Sequence, residues 1–172
     1  MDEMEQTNKM KILKELQKNG RASASEIAKK LGLSRQTVAK IISNMEKNQE
    51  IWGYSAIFDS KLLNKKQFIF LIKLDLSADP KEFLKKAIDS NLIKQNEKKY
   101  GFKTTFFLHG TYDFMILAWA KDLIDAKKLL TTYKKIFKLF VVSVDLFEIM
   151  SSFRVNGVAN PKMVEEWTNL LI

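Results

Sequence analysis

Residues 27–45, IAKKLGLSRQTVAKIISNM, decide how the first third of this chain is read. Two short helical patterns meet there at Gly32, a residue able to take the left-handed conformation that ends a helix. Ala28 is small where two helices would cross closely, and Ser34 is placed to cap the second helix. Val38, Ile41, Ile42 and Met45 then form an i, i+3, i+4, i+7 stripe, which needs a core beneath it. This spacing predicts a helix-turn-helix. With the stripe turned inward, Arg35, Gln36, Thr37, Lys40, Ser43 and Asn44 are left facing solvent, the first of them at the helix N-terminus, where a recognition helix meets base edges.

The residue types suit that task. Arginine can bond guanine O6 and N7, glutamine can bond adenine N6 and N7, and threonine can reach a base edge or a thymine methyl. Lysine and the helix N-terminus suit phosphate. The candidate DNA-binding residues are therefore Ser34, Arg35, Gln36, Thr37, Lys40 and Asn44. The bland alternative is a packing unit whose polar face is merely solvated.

Working outward, Ile12, Leu13 and Leu16 mark an earlier helix that stops at Asn19-Gly20. Ser23-Ala-Ser-Glu26 has the form of a capping box just before Ile27, Ala28 and Leu31. After the quoted stretch, residues 51–58 are β-branched and aromatic and read as a strand leaving the first domain, with Trp52 and Tyr54 as core of the linker region. Residues 60–66 are short and polar, with Asn64 where a helical turn would end, so a brief hinge is placed at 61–66.

The second half has a different rhythm. Phe68, Phe70, Ile72, Leu74 and Leu76 alternate as a strand. Asp79-Pro80-Lys-Glu82 starts a helix whose buried face is Phe83, Leu84, Ala87 and Ile88. Two alternating runs, 102–108 and 112–121, flank a hairpin loop at His109-Gly110-Thr111. Asp122 caps a helix with Leu123, Leu129, Leu130, Tyr133, Ile136 and Phe137 on one side, and residues 141–150 form a last strand. The order is βαββαβ, the ferredoxin-like arrangement. The fold class is thus α+β: a helix-turn-helix domain, winged-helix-like, over residues 1–60, then a ferredoxin-like domain over 67–155. Residues 156–172 form an extension with an amphipathic helix after Pro161. Helices cover one face of such a sheet, yet Ile69, Leu71, Met115, Leu117 and Trp119 make the opposite face apolar too, which predicts self-association.

Composition narrows the chemistry. The chain has 172 residues, 46% hydrophobic and 28% charged, no run near the ~18 apolar residues of a membrane span, and no segment like a secretory signal, so a cytoplasmic site without membrane contact is expected. With no cysteine and one histidine, His109, thiolate metal sites, cysteine nucleophiles, histidine-built metal sites and hydrolase triads are not expected, nor is a cofactor. The net charge is +9: residues 1–64 hold 11 basic and 8 acidic side chains, and residues 65–172 hold 18 and 12. Only Arg21, Arg35 and Arg154 are arginines, so a general lysine bias accounts for the basicity as readily as a polyanionic partner does.

A helix-turn-helix followed by βαββαβ resembles the leucine-responsive and asparagine-regulator (Lrp/AsnC) family of prokaryotic transcription factors. The marks are Ile12-Leu13 and Leu16 ahead of Asn19-Gly20-Arg21, Leu33-Ser34, Ile51 with Gly53-Tyr54-Ser55-Ala56, and Gly110-Thr-Tyr112-Asp113, similar to the family's Gly-x-Tyr-Asp element. The resemblance implies a transcriptional regulator that binds double-stranded DNA, forms a homodimer or higher homo-oligomer through its sheets, and takes an amino acid or related small molecule between effector domains. On that reading Gly110, Tyr112 and Asp113 are the candidate effector-binding residues, with Asp113 meeting the ligand's ammonium group. Two departures stand out: Lys9 occupies a position where the family usually has aspartate, and Gln49-Glu50 replaces a glycine-apolar pair. Siroheme decarboxylases share the architecture but need tetrapyrrole-binding histidines and arginines, for which this chain offers His109 and, outside the first domain, Arg154. A metabolite sensor without DNA binding is the other alternative.

Overall fold

The computed structural model describes residues 3–75, 77, 79–89, 91–101 and 103–171. Leu76, Phe102 and the side chains of Leu84, Ala87 and Ile88 fall outside the described residues. The chain divides into two compact units, residues 1–57 together with 151–172, and residues 58–150. The extension expected as a separate segment from 156 therefore groups with the helix-turn-helix, and the division falls at 57/58 rather than within 61–66.

The first unit is built on α1 (Glu3–Lys18), α2 (Ala24–Leu31) and α3 (Arg35–Lys47). Ile12 of α1, Ile27 and Ala28 of α2, and Val38, Ile41 and Met45 of α3 are its buried core, drawn from the three amphipathic stripes. The capping box before α2 is formed: Ser23 Oγ accepts from the Glu26 N–H, and Glu26 accepts from the Ser23 N–H at 2.6 Å. Gly32 ends α2 at φ 67°, where a side chain would be strained although nothing crowds it.

The two departures from the family pattern explain each other. Gln49 stands at φ 59°, a conformation glycine adopts at little cost. Lys9 is 7% exposed, and its ammonium bonds both carboxylate oxygens of Glu50 at 2.9 Å. A lysine drawn into this helical core needs an acid, and the position after Gln49 supplies it.

Residues 51–58 are not a strand. Among the described residues no strand pairs with them, so an extended segment there lacks the ladder that would define it. Nor is Trp52 core: it is 96% exposed. Tyr54 lies half exposed, with its hydroxyl donating to Glu46 and its ring beside Gly20.

The second unit opens with a 3-10 turn, Ser60–Leu63, that ends at Asn64 in the left-handed conformation. Then follow β1 (Lys66–Leu74), α4 (Pro80–Asp89), α5 (Asn91–Tyr100), β2 (Thr104–Phe107), β3 (Phe114–Ala120), α6 (Leu123–Ile136) and β4 (Val141–Ile149). The sheet order β2-β3-β1-β4, antiparallel throughout, is ferredoxin-like. The crossover from β1 to β2 carries two helices where one was expected. Strands β2 and β3 are shorter than the alternating runs 102–108 and 112–121.

Period-two alternation sorts β1 cleanly. Phe68, Phe70, Ile72 and Leu74 are buried under the helices with Ile116, Ala118, Leu129 and Phe137. Ile69 and Leu71 point to the other face, opposite Leu117 and Met115 on β3 and Phe147 and Asp145 on β4. Among the described residues of this unit, Ile69, Leu71, Met115 and Leu117 stay partly exposed on that face and Phe147 is half exposed, while Trp119 is buried with its ring parallel to Phe58. Asp122 caps α6 as expected, but Leu123 is exposed, because it begins the helix beyond the sheet contact.

After β4, the C-terminal segment forms a two-residue hairpin, β5 (Arg154–Val155) and β6 (Val158–Ala159), turned by Asn156-Gly157, both at positive φ. Helix α7 (Met163–Leu171) follows Pro161. Its apolar side chains are largely exposed, with Trp167 resting on Phe153.

Candidate nucleic-acid interface and effector loop

The turn between α2 and α3 positions the first candidate site. Ser34 Oγ accepts from the Thr37 N–H at 3.0 Å and lies 2.8 Å from the Thr37 hydroxyl, so both residues serve the helix start as well as facing outward. Arg35, Gln36, Thr37 and Lys40 are exposed, and Asn44 is half-buried. At roughly 100° per residue, Arg35 and Thr37 mark the two edges of an arc of about 200°, with Gln36, Lys40, Asn44 and Lys47 between them. Five of the sequence candidates therefore share one side of α3, with Ser34 capping it; Gln36, Lys47 and Lys40 lie nearest the centre of that side, Asn44 lies beside its Thr37 edge, and Arg35 is the opposite flank. Lys47 belongs to the same side and was not among the named candidates. Its exposure and last-turn position were readable from the periodicity alone.

No acid occupies the first turn of α3. The orphan N–H groups and the dipole's positive end therefore face outward without a competing carboxylate, which favours an anion.

The second candidate site, the loop between β2 and β3, is closed by the Leu108 N–H bonding the Asp113 carbonyl at 2.7 Å, while the Asp113 N–H bonds Ile72 O at 2.9 Å. Gly110 and His109 are exposed at its tip. Asp113 is only 6% exposed. One carboxylate oxygen accepts from the Leu74 N–H at 2.8 Å, and Lys73 Nζ lies 3.1 Å from the same oxygen. The Leu74 N–H holds the carboxyl below the usual carboxylate range, against the opposing effect of burial, with Lys73 adding to the lowering. Asp113 thus ties the loop to the end of β1 and orients Lys73.

Tyr112 donates its hydroxyl to Asp145 on β4, and that bond raises the phenol above its ordinary range. Lys73 pairs with Ser143 across β1 and β4, and Leu71 pairs with Asp145. Lys73, Tyr112 and Asp145 therefore form a polar corner on an otherwise apolar sheet face. Sequence reasoning missed Lys73 and Asp145. They lie 72 positions apart in the chain, and only strand pairing brings them together.

Residues 6–49 match the winged helix-turn-helix DNA-binding family. An uncharacterised HTH-type transcriptional regulator of Pyrococcus furiosus is 30% identical over 149 residues, covering 86% of this chain and 92% of the relative. The leucine-responsive regulatory protein of Haemophilus influenzae is 25% identical over 123 residues, 72% of this chain and 70% of that one. The chain belongs to the Lrp/AsnC family of transcriptional regulators. The fold agrees along its whole length with a Neisseria meningitidis transcriptional regulator solved as an L-methionine complex: TM-score 0.65, 17% identity, covering 100% of this chain and 99% of that one. As a member of the Lrp/AsnC family the protein is a DNA-binding helix-turn-helix regulator. Among the described residues no group of histidines and acids is placed to hold a metal, and no helix is long and apolar enough to cross a membrane.

Proposed function

We propose that Gln36 and Lys40 near the centre of the polar side of α3, with Arg35 at one edge and Thr37 and Asn44 at the other, read a major groove, and that Ser34 holds the helix start against a phosphate. The observation that carries this reading is the division of α3 into a buried apolar stripe and a broad polar side free of acids up to Glu46. Residues 1–57 act as the DNA-binding unit and residues 58–150 as the unit for assembly and effector response. The protein works as a homodimer or a higher homo-oligomer. Ile69, Leu71, Met115, Leu117 and Phe147 form a partly exposed apolar patch that a second copy would bury.

The effector is an α-amino acid held at the corner formed by the loop at Gly110, Tyr112 and Asp113. Support comes from the L-methionine bound by the N. meningitidis relative and from the charges at this corner. Lys73, oriented by Asp113, suits the carboxylate. Exposed Asp145, steadied by Tyr112, suits the ammonium group better than buried Asp113 does. Genomic fragments selected by the purified protein, with and without an amino-acid pool, test both parts. A pseudo-palindromic site whose affinity changes with one amino acid supports the proposal. Equal operator binding by wild type and the Arg35→Ala/Gln36→Ala double variant removes the first part, and an unchanged ligand response in Asp145→Asn removes the second.

A further inference from the structure

The helix layer of the second unit carries charge that neither its folding nor its sheet explains. On α6, Ala126, Leu129 and Tyr133 are buried against the sheet. Lys127, Lys128, Lys134 and Lys135 are exposed on the opposite side, with Lys138 just beyond the helix end. At roughly 100° per residue these five lysines fall within an arc of about 120°. The sequence from 126 to 144 holds no acidic residue, and none of the five is in an ion pair among the described residues.

Neighbouring helices extend the pattern. Lys94 and Lys98 on α5 and Lys81 and Lys85 on α4 are exposed and likewise outside the ion pairs. Lys99, by contrast, is 3.5 Å from Asp125 and hydrogen-bonded to the Tyr100 hydroxyl, which itself donates to Asp125, so α5 and α6 lie side by side. Of the acids in this layer, Glu82 pairs with Lys86, and Asp125 bonds Lys99, Tyr100 and the Lys121 N–H, while Glu97 on α5 stays exposed between Lys94 and Lys98.

The helix dipole accounts for Lys134 and Lys135 in the last turn of α6. Lys127 and Lys128 lie in its first half, where a positive charge gains nothing from it. Solubility would be served as well by glutamates, and an unbalanced surface costs self-repulsion. With the apolar sheet face covered by a second copy, the helix layer is the broad face this unit leaves to solvent.

We infer that the helix layer of residues 80–138, centred on the α6 lysines, is a second, sequence-independent contact surface for the DNA backbone. Double-stranded DNA is the polyanion this regulator already brings close, and a row of lysines on a rigid rod meets phosphates by counterion release rather than by reading bases. The inference does not depend on which α3 residues read the operator.

The test uses the full chain with Lys127, Lys128, Lys134 and Lys135 all changed to Gln, which keeps helix propensity while removing charge. Binding to a non-operator duplex of about 60 base pairs is followed by anisotropy over a salt series of roughly 50–300 mM. The Gln variant should show a salt slope shallower by about 2–4 units per subunit and affinity at least about tenfold weaker at the low-salt end. The Arg35→Ala/Gln36→Ala variant should lose operator preference yet keep the wild-type slope on this duplex, which separates the two surfaces. Changing the same four lysines to Arg should preserve binding. A slope and affinity equal to wild type in the Gln variant overturn the inference, and so does equal loss in the Gln and Arg variants, since that would mark a structural rather than an electrostatic effect.

Discussion

Helix α3 and the sheet of the second unit both leave one face open, and the two faces could hardly differ more in chemistry. The open side of α3 carries Arg35, Gln36, Thr37, Lys40, Asn44 and Lys47 over a stripe that is fully buried. The open face of the sheet carries Ile69, Leu71, Met115, Leu117 and Phe147, about as apolar as the face under the helices. A polar face is content in water, so its partner can come and go, as an operator does. An apolar face is not, because each exposed Å² forgoes about 25 cal/mol, so its partner must be lasting. On the proposed function, the difference matches each region to its partner: hydrated DNA for one, another protein surface for the other.

The contrast is sharpest where the sheet face is given the character of α3. Phe147→Asp, on the edge strand β4 opposite Ile69, places an unpaired charge in the proposed dimer core and should cost about 3–5 kcal/mol of association while barely affecting the monomer. Light scattering at micromolar concentration should then shift from dimer to monomer; an unchanged mass would mean that the copies meet elsewhere.

Asp113 tests the corner where the apolar face becomes polar. Asp113→Ala leaves the buried Leu74 N–H without its acceptor and should destabilise the second unit by about 1–3 kcal/mol, read by thermal or urea unfolding. Its folded pKa lies below the ordinary 3.8, so the folded state favours the ionised form. That contribution is fully present above the ordinary value and is lost as pH falls below it through the folded value. Wild type should therefore lose stability more steeply than Asp113→Ala below about pH 4; parallel acid profiles would contradict this.

On α3, Arg35→Ala or Gln36→Ala should cost roughly 1–3 kcal/mol at the preferred operator and little on unrelated DNA. A gel-shift titration against both duplexes decides it, and equal losses on the two would make these residues phosphate contacts instead. Glu50→Gln, which leaves buried Lys9 facing a neutral partner, should lower the melting free energy of the first unit by about 1 kcal/mol. The smallest effect belongs to Lys40→Ala. It should flatten the salt slope by about one unit per subunit on all sequences alike, and a sequence-dependent loss would reassign Lys40 to base contact.

How much of this could be read from the chain alone varies with how local the cause is. The capping box at Ser23 and Glu26, the left-handed turn at Gly32 and the Asp122 cap were legible because each depends on residues within four positions of one another. The alternation of β1 gave both its faces for the same reason. The polar side of α3 follows from helical periodicity as well, which puts Gln36, Lys47 and Lys40 nearest its centre. Residues 51–58 misled because β-branched and aromatic composition fits a strand wherever a neighbour exists, and composition cannot supply the neighbour. Trp52 was misplaced with them.

What the sequence determined by itself, then, was the three helices of the first unit, the order of strands β1 to β4 with helices between them, and the α+β architecture, since hydrophobic period and caps are written in adjacent residues. Tertiary structure alone decided which distant residues meet. It set Lys9 against Glu50, converting two departures from the family pattern into one ion pair. It buried Asp113, shown in the sequence beside an exposed glycine loop, against the Leu74 N–H, and it brought Lys73 beside Asp145 through the β1–β4 ladder. Strand register and helix packing are long-range choices made by burying apolar area across many residues at once, so a pairing between residues 40 or 70 positions apart leaves no mark on either neighbourhood.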